Sequence, residues 1–168
     1  ALCFFNKFVR LEEKKVTESS DSLLNLSYYN CAYIASELKD YEKVVSCCNI
    51  LLSRGEDSEK VDLLICEALN KLERIDEWKE TLQRAIKRHP NQFYFYAALI
   101  DYYLANNENN KALKYADELH KSDPMSGMKN FVKGYVYQRT GDYRNAIIWQ
   151  EICDRLEPGV AENLSAIG

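Results

Sequence analysis

Apolar and polar residues alternate along this chain with the three-and-four spacing of amphipathic helices, and short polar turns interrupt the pattern at regular distances. The prolines mark the period. Pro90, Pro124 and Pro158 stand 34 residues apart, each after one helical stretch and before the next, where a helix-stopping residue belongs. The last frame holds Gly134, Tyr137, Gly141-Asp142-Tyr143 and Ala146. The frame before it holds Tyr96, Leu99, Tyr103, Asn107-Glu108-Asn109 and Ala112. Two earlier frames hold Ile65, Cys66, Leu69, Glu73-Arg74-Ile75, Trp78, Leu82 and Ala85, and then Tyr28, Cys31, Ala32, Ala35, Lys39-Asp40-Tyr41, Val44, Cys48 and Leu51. No insertion breaks the register between residues 25 and 160.

This pattern predicts eight antiparallel helices in four pairs, with turns near 39–41, 73–75, 107–109 and 141–143. The repeats are expected at 25–58, 59–92, 93–126 and 127–160. Residues 1–24 carry a helical stripe of Leu2, Phe5, Phe8, Val9 and Val16 outside the register. They are expected to form an irregular N-terminal helix, the end of a preceding repeat, with Ser19-Ser20-Asp21 breaking the chain and capping the next helix. Residues 161–168 are expected to start a further, truncated repeat, with Leu164, Ile167 and Gly168 in its first-helix positions.

The pattern resembles the tetratricopeptide repeat, in which an aromatic, Leu-Gly, Tyr, a small residue, a second aromatic and Pro recur at fixed offsets. Gly134, Tyr137, Ala146 and Pro158 carry it in the last repeat, and Tyr96, Leu99, Tyr103, Ala112 and Pro124 in the third. Ile100 and Cys66 replace the usual Gly, Trp78 the usual Ala and Glu56 the usual Pro, departures that leave the repeat length intact. Volume trades across the contact: Ile100 is expected to face small Ala112, and Trp78 the smaller Cys66. The resemblance implies an all-α fold, a right-handed α-solenoid or superhelix of antiparallel helix pairs.

Composition and charge narrow the function. The net charge of -4 is spread in mixed sign, with no basic stripe of the kind nucleic acid requires. No apolar run is long enough to span a bilayer. The six cysteines show no CxxC spacing and fall mostly at packing positions; Cys31, Cys48, Cys66 and Cys153 are expected in the core and Cys47 nearer solvent. Unpaired thiols favour the cytoplasm, with an extracytoplasmic site left open because the chain lacks an initiator Met. The two histidines, His89 and His120, sit near ends of second helices, where an imidazolium suits the helix C-terminus. Neither joins a catalytic or metal-binding set, and no Gly-rich phosphate loop occurs. No cofactor, metal or catalytic residue is expected.

First helices are rich in aromatic residues, which either pack repeat against repeat or line a groove. The family resemblance places first helices on a concave face. By register it puts there Tyr29, Asn30, Tyr33, Lys60, Glu67, Tyr94, Asp101, Phe131, Tyr135 and Arg139, with Leu26, Leu64, Asn70, Ala98 and Met128. Chaperone-binding relatives grip a C-terminal carboxylate there with Lys, Asn and Arg. Asn30 and Lys60 stand at clamp-like places, but Tyr29, Tyr33 and Leu64 replace its other members, which argues against that ligand. The resemblance implies a non-catalytic scaffold binding a peptide or helix of a partner protein, not nucleic acid. Alternatives are a structural or oligomerisation spacer, joined through uncapped repeat ends, and the regulatory portion of a larger enzyme or transcriptional regulator.

Overall fold

A computed structural model of the chain describes residues 18–159. Among them are eight helices and no strand: α1 Glu18–Glu37, α2 Tyr41–Ser53, α3 Glu59–Lys71, α4 Ile75–Arg88, α5 Phe93–Ala105, α6 Asn109–Ser122, α7 Gly127–Arg139 and α8 Tyr143–Leu156. They fall into two compact units, Ala1–Ala85 and Ile86–Gly168, with the end of α4 crossing the border. In the first unit α1 packs on α2 and both pack on α3. In the second, α5 packs on α6, both pack on α7, and α7 packs on α8. The expectations for residues 2–16 and 161–168 lie outside the described residues.

The period is written in the backbone as well as in the side chains. Lys39, Glu73, Asn107 and Gly141, each 34 residues after the last, all have positive φ, at 59°, 56°, 58° and 84°. Each closes a helix in the same way. Asp40, Arg74, Glu108 and Asp142 donate their N–H groups five residues back, to the carbonyls of Ala35, Leu69, Tyr103 and Tyr137. The left-handed residue itself donates three residues back. This is the Schellman closure, which satisfies carbonyls that a helix end otherwise leaves open. The following helix starts at once. Asp40 and Asp142 accept from the N–H groups of Lys43 and Asn145, at 3.2 and 3.1 Å, and so cap α2 and α8. A fifth closure, on Gly55 with φ 80°, ends α2.

Burial follows the apolar stripe. Val44, Cys48 and Leu51 on α2, and Ala32 and Ala35 on α1, belong to the first unit's core, all essentially without solvent contact. In the second unit Phe95, Leu99 and Ile100 on α5 are buried, as are Ala112, Ala116 and Leu119 on α6. Each large side chain so buried contributes about 1.5–3 kcal/mol relative to exposure. Small residues set how closely paired helices approach. A Cβ on Gly134 would lie 3.4 Å from both the carbonyl oxygen of Ala146 and Cβ of Trp149, so α7 and α8 meet at that point. The pair is also tied at its open end, where the N–H of Gly127 donates to Glu157 Oε1 at 2.9 Å. A carboxylate there complements the N-terminal dipole of α7.

Three local expectations change. The N-terminal break at Ser19-Ser20-Asp21 is absent: α1 already runs from Glu18 and has 20 residues where the other first helices have 13. Asp21 pairs instead with Arg54 at 2.6 Å, and a helix's first turns tolerate both Ser and Asp. Cys47 is as buried as the other four described cysteines, because it turns toward Cys31 across the α1–α2 contact; burial pushes the thiols of Cys47 and Cys48 up to about 12. His120 lies in the last turn of α6 but is not held as a cation. Its ring stands edge-on to Trp149 at 4.9 Å, and burial followed by the Lys133 ammonium lowers its pKa, with Asn130 and Asp117 pulling the other way.

Candidate functional site

The ten residues assigned by register to the first-helix face all reach solvent; none lies in the buried core. They divide between the two units. In the first unit Tyr29 and Lys60 line an open cavity of about 520 Å³ with Asp21, Ser22, Asn25, Leu26, Glu56 and Ser58. The elements are α1, α3 and the loop between α2 and α3. Arg54 braces the α1 side, donating from Nε to Asn25 Oδ1 at 2.7 Å and pairing with Asp21. Asn30, Tyr33 and Glu67 lie outside this cavity lining, with Tyr33 53% exposed on α1.

The second unit holds a smaller and drier cleft of about 230 Å³. Its lining comes from two facing stripes: Phe93, Ala97, Ile100 and Asp101 on α5, and Met128, Phe131, Val132 and Tyr135 on α7. Both stripes follow the i, i+3/i+4, i+7 spacing of one helix face. Ile100 and Val132 form the buried floor, while Phe93, Phe131 and Tyr135 are half-buried walls. Asp101, Phe131 and Tyr135 of the sequence-assigned set therefore come together. Arg139, one turn beyond Tyr135, donates from Nη1 to the Tyr135 hydroxyl at 2.8 Å, and its guanidinium stands 5.7 Å from the ring centre. Tyr94 is not part of the lining; its ring meets Phe95 edge-on at 4.7 Å.

Sequence reasoning missed Phe93, Ala97, Ile100 and Val132 as cleft residues. The signal was present in the spacing of Phe93, Ala97 and Ile100 on α5. It was obscured because Ile100 also stands where the repeat pattern expects the helix-pair contact, and a residue at the edge of two interfaces carries one label in a register. The electrostatics of the cleft are simple. Asp101 is reached by solvent, yet the apolar wall beside it raises its carboxyl above the usual range, against the lowering effect of Arg139. Among the described residues no helix is long and apolar enough to cross a membrane, and no group of three or more His, Cys, Asp or Glu could hold a metal ion.

Comparison with known proteins agrees with this architecture. Residues 130–159 match the tetratricopeptide repeat family model. No curated protein matches the chain. Among solved structures, MamA superposes with a TM-score of 0.62 at 15% identity, covering 98% of this chain and 92% of that one. YrrB, described as a TPR protein with an unusual peptide-binding site, gives a TM-score of 0.60 at 16% identity, covering 97% of this chain and 83% of that one. A TPR repeats protein from Bacteroides fragilis NCTC 9343 gives 0.54 at 12% identity, covering 99% of this chain and 90% of that one. Residues 130–159 thus carry a match to the tetratricopeptide repeat, and the chain shares the all-α helix-pair repeat fold of these solved structures.

Proposed function

We propose that this chain is a non-catalytic scaffold that binds a peptide or helix of a partner protein on the face its first helices present. One observation carries the reading: a preformed cleft between α5 and α7 with an apolar floor, half-buried aromatic walls and a polar rim of Asp101, Tyr135 and Arg139. Recognition sites have this composition, since apolar depth supplies affinity and a few fixed polar groups supply orientation. The walls stand on helices and not on loops, so binding orders little of the receptor. A peptide-binding site in YrrB, which shares the fold, supports the same use of it here.

The set Tyr29, Asn30, Tyr33, Lys60, Glu67, Tyr94, Asp101, Phe131, Tyr135 and Arg139 is the proposed contact surface, with the energy concentrated in few of them. Phe131 and Tyr135 are the anchors, because they line the cleft and remain partly open to a ligand. The test is selection of peptides from a displayed random library on the intact chain, followed by titration of Phe131→Ala and Tyr135→Ala. Each substitution is expected to weaken binding about tenfold or more and to leave the melting temperature nearly unchanged. Loss of stability with unchanged affinity in the folded fraction would return both rings to a packing role.

A further inference from the structure

The chemistry of the α5–α7 cleft is specific enough to name the kind of segment it takes. The occupant must first fill an apolar space. The floor is Ile100 and Val132, exposed by 1% and 6%, under the walls of Phe131 and Tyr135. A volume of about 230 Å³ has room for one branched aliphatic side chain and the start of its neighbour, but not for a helix laid along it. An extended segment dipping one residue into the cleft fits that depth.

The occupant must then satisfy the rim, and the two rim charges are not equivalent. Arg139 is already engaged, donating to the Tyr135 hydroxyl and lying against its ring. Asp101, the one acid among the lining residues, has no hydrogen bond or ion pair among the described residues; Arg139 acts on it only through space. A carboxylate beside an apolar wall loses part of its hydration without recovering it from a partner, and its raised pKa reports that loss. A second carboxylate brought to this rim would meet repulsion from Asp101, with only the remaining donors of Arg139, already held against Tyr135, to offset it. An ammonium or guanidinium would meet an unpaired acceptor.

We propose that the cleft takes an extended segment of a partner protein in which a branched aliphatic residue stands next to a Lys or Arg, the aliphatic side chain entering over Ile100 and Val132 beside Phe131 and the cation pairing with Asp101. This rests on the reading of the first-helix cleft as a binding site and adds to it the sign of the recognised charge. The cavity of the first unit shows no such preference, since its lining mixes Asp21, Glu56 and Lys60 around a surface about equally polar and apolar.

Octapeptides of Gly and Ser with a central Lys-Leu, Glu-Leu or Lys-Ser pair, titrated into the isotopically labelled full chain to millimolar concentration and followed by two-dimensional NMR, provide the test. The Lys-Leu peptide is expected to bind about tenfold more tightly than either of the others. Asp101→Asn is expected to abolish the Lys-over-Glu preference while keeping Leu over Ser. Asp101→Lys is expected to reverse it. Because Asp101 is exposed, both variants should melt with the wild-type chain. Equal binding of Lys-Leu and Glu-Leu, persistence of the preference in Asp101→Asn, or no shift with any peptide overturns the inference. The underlying site reading is decided separately: if peptides bind but Phe131→Ala changes nothing, the site itself is misplaced, whereas loss in Phe131→Ala with no effect of Asp101→Asn sinks only the charge assignment.

Discussion

At the residue scale the period is kept by backbone geometry that most side chains dislike. Lys39 and Glu73 occupy the left-handed region, which costs an L-residue with a Cβ roughly 1–2 kcal/mol. Asn107 tolerates it better, and Gly141 without penalty. Lys39→Gly and Glu73→Gly are therefore expected to raise stability by about 0.5–1 kcal/mol each, once the greater freedom of Gly in the unfolded chain is subtracted; urea unfolding measures the gain. Only Gly141 announces this conformation in the sequence, so the turns were legible from their spacing and polarity, not from their residue types. His120 was legible in position but not in charge. Its helix argues for a cation, while Trp149 and Lys133 bring burial and a like charge from α8 and α7, which no local reading of α6 contains. With the folded pKa below the unfolded value of about 6.5, the unfolded chain takes up the proton first, so this group's penalty on stability sets in as pH falls through that value. His120→Gln is expected to flatten the fall in melting temperature between pH 7 and pH 5, both approximate bounds set by that titration. An unchanged slope would mean that His120 titrates as if exposed.

At the scale of elements, the helix pair is the unit that the sequence specifies best. The apolar stripes, the small residues and the polar turns agree with one another along α2 to α8, and that consistency let the pairs be read without coordinates. The exception, α1, shows the limit. Its first seven residues carry Ser and Asp, which a sequence reading assigns to a cap, yet Asp21 is held by Arg54 from the end of α2. That contact joins residues far apart in the chain and leaves no periodic trace. The cleft was half legible for a similar reason: Asp101, Phe131 and Tyr135 follow from register, whereas Phe93 and Ala97 enter it because α5 packs against α7 as well as against α6. The α7–α8 contact at Gly134 yields a direct test. Gly134→Leu would force its side chain against Ala146 and Trp149 and is expected to cost about 1–3 kcal/mol by thermal or urea unfolding. Wild-type stability in that variant would show that α7 and α8 can part there freely.

At the scale of the molecule, the two units give separate reporters of opening. Cys31, Cys47, Cys48 and Cys66 are buried in the first and Cys153 in the second. With Cys47 and Cys48 raised to about 12, these two thiols hold their protons in the folded chain well above the pH at which they ionise when unfolded. The stability they confer is complete below that unfolded value, about 8.5, and is lost progressively as pH rises beyond it. Because all five are buried, alkylation at pH 8 should leave them unmodified in the native chain, and mass spectrometry during a urea series should date the opening of each unit by its own cysteines. Independent labelling of Cys153 is the expected result for a quasi-one-dimensional array; simultaneous labelling of all five would show a single cooperative block. The evenly spaced turns at Lys39, Glu73, Asn107 and Gly141 also bear on how such a chain can change length. A duplication or deletion of 34 residues, wherever its ends fall, restores a left-handed residue at the close of every first helix, so recombination need not respect helix boundaries. A change that is not a multiple of 34 breaks the spacing between a helix and the left-handed residue that closes it wherever its ends fall within that helix. Tolerance of whole-period exchanges is thus expected from the backbone alone, and it would leave the exposed first-helix residues free to differ between copies.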